Sequence, residues 1–209
     1  MPLATDALAV TPIATAPFPH LVLPGFLPAG ELDAVIRDLP PIGRRGSFPI
    51  GSLRLGPAAE ALMDELAGPG LRAAIAGRFG LDLNEAATML TLRGQSTGRD
   101  GHIHCDSVAK RVTILLYLNR ATDAWSGHQG CLRLLRGPDD IENYAVEVPP
   151  VNGTLLAFPN GPTTWHGHLP FVGQRYVVQL NYMTNDSAAR WELRRHRISA
   201  FVKRLRAAA

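Results

Sequence analysis

The 209-residue chain is 46% hydrophobic and 19% charged, the composition of a globular protein long enough to bury its own core without a disulfide or structural metal. Its net charge of +3 is carried at one end: residues 187–209 hold seven arginines or lysines against one glutamate, +6, which leaves −3 for the other 186 residues. The domain is therefore not a basic nucleic-acid binder, the basic tail with only Trp191 and Phe201 lacks the aromatic interleaving a single-strand platform would need, and no run approaches the 18 apolar residues of a membrane span.

Residues 1–19 carry four prolines and read as an irregular arm. The stretch "HLVLPGFLP" gives a short strand and turn. Leu32, Val35, Ile36 and Leu39 then repeat at i, i+3, i+4, i+7 and predict a helix from about Ala29 to Leu39. After the turn-rich loop "PPIGRRGSFPIGSLRLG", two further helices are predicted near Pro57–Ala67 and Pro69–Phe79, each opening at a proline suited to a first helical turn.

From Ala87 the pattern changes. "TMLTLRG", "RVTILLYLN", "CLRLLRG", "YAVEVPP", "GTLLAFP" and "QRYVVQLNYM" are short apolar or alternating runs separated by turn residues, which predicts a mainly β core of the sandwich or jelly-roll kind with flanking helices. Residues 1–86 form an N-terminal arm and supporting helices, 87–184 the β core, and 185–209 a basic C-terminal helix, all within one structural domain. Two cysteines, Cys105 and Cys131, are read as free thiols. With no basic start or long apolar run of a secretory signal at the N-terminus, they point to a reducing, cytoplasmic setting. Oligomeric state is not legible.

Chemistry concentrates in two stretches. In "GRDGHIHCDS" (98–107), strand alternation turns His104 and Asp106 to one side and Cys105 to the other, so one imidazole and one carboxylate offer two ligands of an iron site. In "WHGHLPFVGQRYVVQLNY" (165–182), His166 and His168 both offer an imidazole as third ligand. Arg175 heads a strongly apolar strand, where a charge is costly unless it meets an anion. Arg175, Val177, Gln179 and Asn181 share one face, which suits the wall of a polar pocket rather than a core. His102 shares a face with His104 near the pocket mouth. Arg44, Arg45 and Arg99, in the surrounding loops, are candidates to meet an anionic substrate.

The ordered set His104-x-Asp106, His166 and Arg175, with "HCDSVAKRVTILLYLN", "HQGCLRLLRG" and "NGTLLAFPNGPTTWHGH" between, resembles the iron(II)/2-oxoglutarate-dependent oxygenases, and within them the prolyl-hydroxylase-like branch. The resemblance spans roughly residues 85–183. It implies a double-stranded β-helix (cupin-like jelly roll) with iron(II) on His104, Asp106 and His166, and 2-oxoglutarate as cosubstrate held by Arg175 with Tyr117 beside it. It further implies a dioxygenase that hydroxylates a C–H bond of a small molecule, amino acid or prolyl/peptidyl substrate with dioxygen, releasing succinate and CO2. The carboxylate of Asp106 favours hydroxylation over halogenation. Two histidines and a carboxylate leave three metal positions open, as such chemistry requires. The sequence departs from the branch at Gln129, where a glycine is usual, and near Arg93, where a tyrosine is common. The alternative is a non-catalytic metal- or ligand-binding protein on the same fold.

Overall fold

The computed structural model describes residues 3–121, 125, 127–186, 189–191 and 193–194. Helix α1 (Thr5–Val10) and strand β1 (Leu21–Leu23) lead into α2 (Ala29–Asp38), β2 (Phe48–Pro49), α3 (Pro57–Ala67) and α4 (Pro69–Phe79). Seven strands follow: β3 (Thr88–Ser96), β4 (Lys110–Tyr117), β5 (Leu132–Leu135), β6 (Tyr144–Val148), β7 (Leu155–Pro159), β8 (His166–Gly167) and β9 (Gly173–Met183).

The helix ends follow local chemistry. Pro57 and Pro69 occupy the first turns of α3 and α4 after extended Gly56 and Gly68, where a proline's missing N–H costs nothing. Asp38 Oδ2 accepts from the Ala58 N–H at 2.6 Å, so α2 supplies the N-terminal cap of α3. α2 stops at Asp38 because Leu39 turns extended before Pro40. The arm at residues 1–19 is not wholly irregular, as the prolines suggest, for it contains α1. Six residues are too few to show a period. This helix is held by tertiary contacts: Leu8 is fully buried, and Arg78 of α4 donates to the carbonyls of Ala9, at 3.0 Å, and of Thr11.

Six strands pair antiparallel in the order β1-β7-β4-β9-β3-β2, and three more in the order β6-β5-β8. A bridge between His104 and His166 extends the smaller sheet by one rung. The result is the double-stranded β-helix that the sequence resemblance implies. Alternation divides each central strand. Val112, Ile114 and Leu116 of β4, with Tyr176, Val178 and Leu180 of β9, join α2, α3 and α4 in the main core. Tyr117, Val177, Leu156 and Phe158 turn inward to meet Leu132 and Leu134 of the smaller sheet. Between the sheets, beyond this second core, lies an open cavity of about 380 Å³. Both cysteines are free thiols. No helix among the described residues is long and apolar enough to cross a membrane. The expected C-terminal helix over 185–209 falls mostly outside the described residues.

Candidate active site

His104 and His166 exchange two backbone hydrogen bonds of 3.0 Å each. In an antiparallel pair of this kind the two side chains emerge on the same face, and the imidazole centroids lie 4.4 Å apart. Asp106, two residues along, completes a set in which one ligand atom from each of His104, Asp106 and His166 lies within 4.8 Å of the others. Cys105 points away, its Sγ on the Pro162 carbonyl at 3.5 Å.

The hydrogen bonding of each ligand favours metal. His104 Nδ1 contacts the His102 carbonyl at 2.8 Å and His166 Nδ1 the Thr164 carbonyl at 2.9 Å. A carbonyl can only accept, so both protons sit on Nδ1 and both Nε2 lone pairs are free for a cation. Burial first, then the neighbouring His104, pushes the His166 pKa down to about 4, with Asp106 opposing, so this imidazole is neutral near pH 7. Asp106 is also buried, which resists ionisation, but Lys110 and His166 and the hydrogen bonds from Lys110 and Thr113 outweigh burial and hold its carboxyl below the ordinary range. Lys110 Nζ donates to Oδ1 at 2.9 Å and Thr113 Oγ1 to Oδ2 at 2.5 Å, each oxygen keeping a lone pair for a metal.

Behind Asp106 stands a network that the sequence did not disclose. Thr113 Oγ1 accepts from Asn160 Nδ2 at 2.8 Å and from Asn181 Nδ2 at 2.9 Å. Asn181 is fully buried; it braces Thr113, while Gln179 is the residue of that pair that lines the cavity. Asn160 carried no sequence signal, since nothing in a turn marks a partner 47 residues away.

Arg175 is 8% exposed and lines the same cavity. Its Nε donates to the Gly130 carbonyl at 2.9 Å, its guanidinium lies 5.6 Å from the Tyr117 ring centre, and no carboxylate among the described residues pairs with it. Gly130 has φ +75, and a Cβ there would lie 3.0 Å from Trp125 and 3.1 Å from Phe171, so glycine is required next to Gln129. Tyr117 is fully buried, with no hydrogen-bond partner for its hydroxyl. Burial pushes its pKa up to about 12 despite the charge of Arg175. The Arg175 guanidinium lines the cavity with donors to spare and fits one end of a dicarboxylate, with the buried Tyr117 hydroxyl beside it. His168 and His102 line the same cavity. Burial, then Arg175, lowers the His168 pKa to about 4.

Solved structures with this fold include a prolyl-4-hydroxylase from Pseudomonas putida (21% identity, 87% of this chain and 91% of that one, TM-score 0.55). A prolyl hydroxylase from Trichoplax adhaerens, in complex with a hypoxia inducible factor oxygen degradation domain peptide, matches at 20% identity over 87% of each chain with TM-score 0.56. HygX from Streptomyces hygroscopicus, with nickel and 2-oxoglutarate bound, matches at 14% identity over 79% of this chain and 83% of that one, with TM-score 0.53. At these identities the likeness is one of fold. No curated protein matches the sequence. Residues 90–183, the β core of the chain, match the family model of the 2OG-Fe(II) oxygenase superfamily, whose members use iron(II) and 2-oxoglutarate.

Proposed function

We propose that the protein is a hydroxylase in which His104, Asp106 and His166 hold iron(II) and Arg175 holds the far carboxylate of 2-oxoglutarate. The observation that carries this reading is the placement of a three-donor set and a buried arginine, with no carboxylate partner among the described residues, in the lining of one cavity. Bound together, iron(II) and 2-oxoglutarate supply, with dioxygen, the oxidising power to hydroxylate a C–H bond and leave succinate and CO2.

The chain's own part is to bind, orient and exclude water. Neutral His166 and ionised Asp106 present lone pairs without a proton having to leave first. Thr113, held by Asn160 and Asn181, fixes the carboxylate plane. The planar guanidinium of Arg175 suits two-point capture of a carboxylate, and Tyr117, buried beneath it, offers its hydroxyl to the same group. Leu115, Leu132 and Val177 line the cavity and keep this end dry. The substrate falls among small molecules, amino acids and prolyl or peptidyl groups; the peptide held by the Trichoplax relative supports the last. Two free thiols fit a reducing, cytoplasmic setting.

The test is 2-oxoglutarate turnover. Anaerobically loaded protein exposed to air should release succinate slowly by itself and faster with substrate, and Asp106→Ala should release none above the iron-only background. Wild-type protein that holds iron yet never consumes 2-oxoglutarate contradicts the reading.

A further inference from the structure

The mouth of the cavity is built differently from its floor. Asp100 is 8% exposed, and its Oδ2 accepts from the Thr97 N–H at 2.8 Å and the Thr97 hydroxyl at 2.9 Å. Its other oxygen, Oδ1, is shared by two guanidiniums: Arg45 Nη2 at 3.2 Å and Arg93 Nη2 at 3.5 Å. One anchored carboxylate thus gathers an arginine from the N-terminal loop and another from β3 at the cavity. Arg45 is fixed further by a backbone bridge to Gln95, at the bulge that follows Arg93. Each guanidinium spends one contact on Asp100 and keeps further N–H donors. Their side chains are 51% and 38% exposed, so these donors are open to an incoming molecule.

Charge accounting separates this rim from the cosubstrate site. Of the cavity's five cationic side chains, Lys110 is paired with Asp106 and Arg175 is assigned to 2-oxoglutarate. Arg45, Arg93 and Arg99 remain against the single charge of Asp100, an excess of two positive charges. An iron(II) dication and a 2-oxoglutarate dianion cancel, so loading the floor leaves that excess at the mouth. Such a rim focuses anions into the cleft and rejects cationic ligands, and paired arginines match the geometry of a carboxylate or phosphate. Arg44, the third loop arginine singled out by sequence, is used elsewhere: its guanidinium lies over the Phe48 ring at 5.2 Å.

We infer that the substrate carries an anionic group, a carboxylate or a phosphate, which Arg45 and Arg93 grip while Asp100 holds them in place. The inference rests on the hydroxylase reading, and Arg93 then acts in substrate selection at the place where the branch commonly has a tyrosine. A neutral prolyl segment would leave the donors of both arginines without a partner at the point of entry.

The test uses the full chain loaded anaerobically with iron(II) and 2-oxoglutarate, and calorimetry of that loading reports on the hydroxylase reading by itself. Sulfate is then titrated in as an anion probe at constant ionic strength. Saturable binding is expected in the wild type, weakened at least fivefold in Arg45→Ala and in Arg93→Ala, with 2-oxoglutarate affinity changed less than twofold in both. That retained affinity also shows that the variants fold. Succinate release is measured in parallel with free L-amino acids against their carboxamides and with O-phospho-L-serine against L-serine. An amino acid that outperforms its carboxamide identifies a carboxylate, and O-phospho-L-serine that outperforms L-serine identifies a phosphate; one of the two advantages is expected. Sulfate that does not bind, sulfate that binds all three proteins equally, or stimulation with neither advantage overturns the inference. Failure of 2-oxoglutarate to bind instead overturns the reading beneath it.

Discussion

Two arginines are buried in apolar strands of this protein, and they are provided for in opposite ways. Arg133 of β5 is 4% exposed and points away from the cavity, between Leu132 and Leu134, which face inward. The protein neutralises it twice: Nε donates to Glu147 Oε2 at 2.7 Å and Nη1 to Glu142 Oε1 at 2.6 Å, and the guanidinium lies 4.4 Å from the Tyr144 ring centre. Arg175 of β9 is nearly as buried, yet it meets a backbone carbonyl and an aromatic face and no described carboxylate. A buried charge without a counter-ion is expensive. One arginine is offset within the fold; the other, on the proposed reading, is offset by the carboxylate of a ligand.

The contrast breaks most sharply at Arg175. Arg175→Met should weaken 2-oxoglutarate binding on the order of 100-fold, about 2.7 kcal/mol, while thermal stability without ligand stays level or rises, since a lone buried cation has been removed. Calorimetry and a melting curve on the same sample check both halves; a variant that loses stability and keeps its affinity would make Arg175 merely structural. Arg133→Met should behave inversely. It leaves Glu147 with His128 alone and should cost about 2 kcal/mol of unfolding free energy, with 2-oxoglutarate affinity unchanged, measured by urea unfolding and the same titration.

A smaller effect follows from pH. Burial opposes ionisation of Glu147, but His128 and Arg133 together lower its pKa below the ordinary glutamate value. A depressed folded-state pKa means stability that is present above the unfolded value of about 4.5 and is lost as pH falls through the folded one. The stability gap between wild type and Arg133→Met should therefore narrow below pH 4.5, and a gap constant from pH 7 to pH 3 would show that the ion pair contributes nothing.

These two arginines also show what a sequence can and cannot disclose. Both are conspicuous as charges inside apolar runs, but the sequence alone does not tell which has a counter-ion, because Glu142 and Glu147 reach Arg133 only through the β5–β6 pairing. Arg175 was legible as a pocket residue from the polar positions that share its face. The helix starts at Pro57 and Pro69 were legible because a proline at a first turn is a local signal. The short α1 was not, for it owes its helicity to docking on α4. Asn181 was placed on a face shared with Arg175, but its contact with Thr113, 68 positions away, was not legible. Asp100 escaped notice in part for the same reason, since Arg45 lies 55 positions away; Lys110 escaped it although its partner Asp106 is only four residues off. Tyr117 was expected beside the arginine, and its ring lies there.

The central claim is that His104, Asp106 and His166 hold one ion while Arg175 holds the diacid that would bind beside it. Anaerobic titration of iron(II) into wild-type protein and into His166→Ala, each with and without 2-oxoglutarate, measures it most directly. The account predicts one iron per chain in the wild type, tighter binding of each partner in the presence of the other, and loss of both effects in the variant. Equal iron and 2-oxoglutarate binding by the two proteins would contradict it.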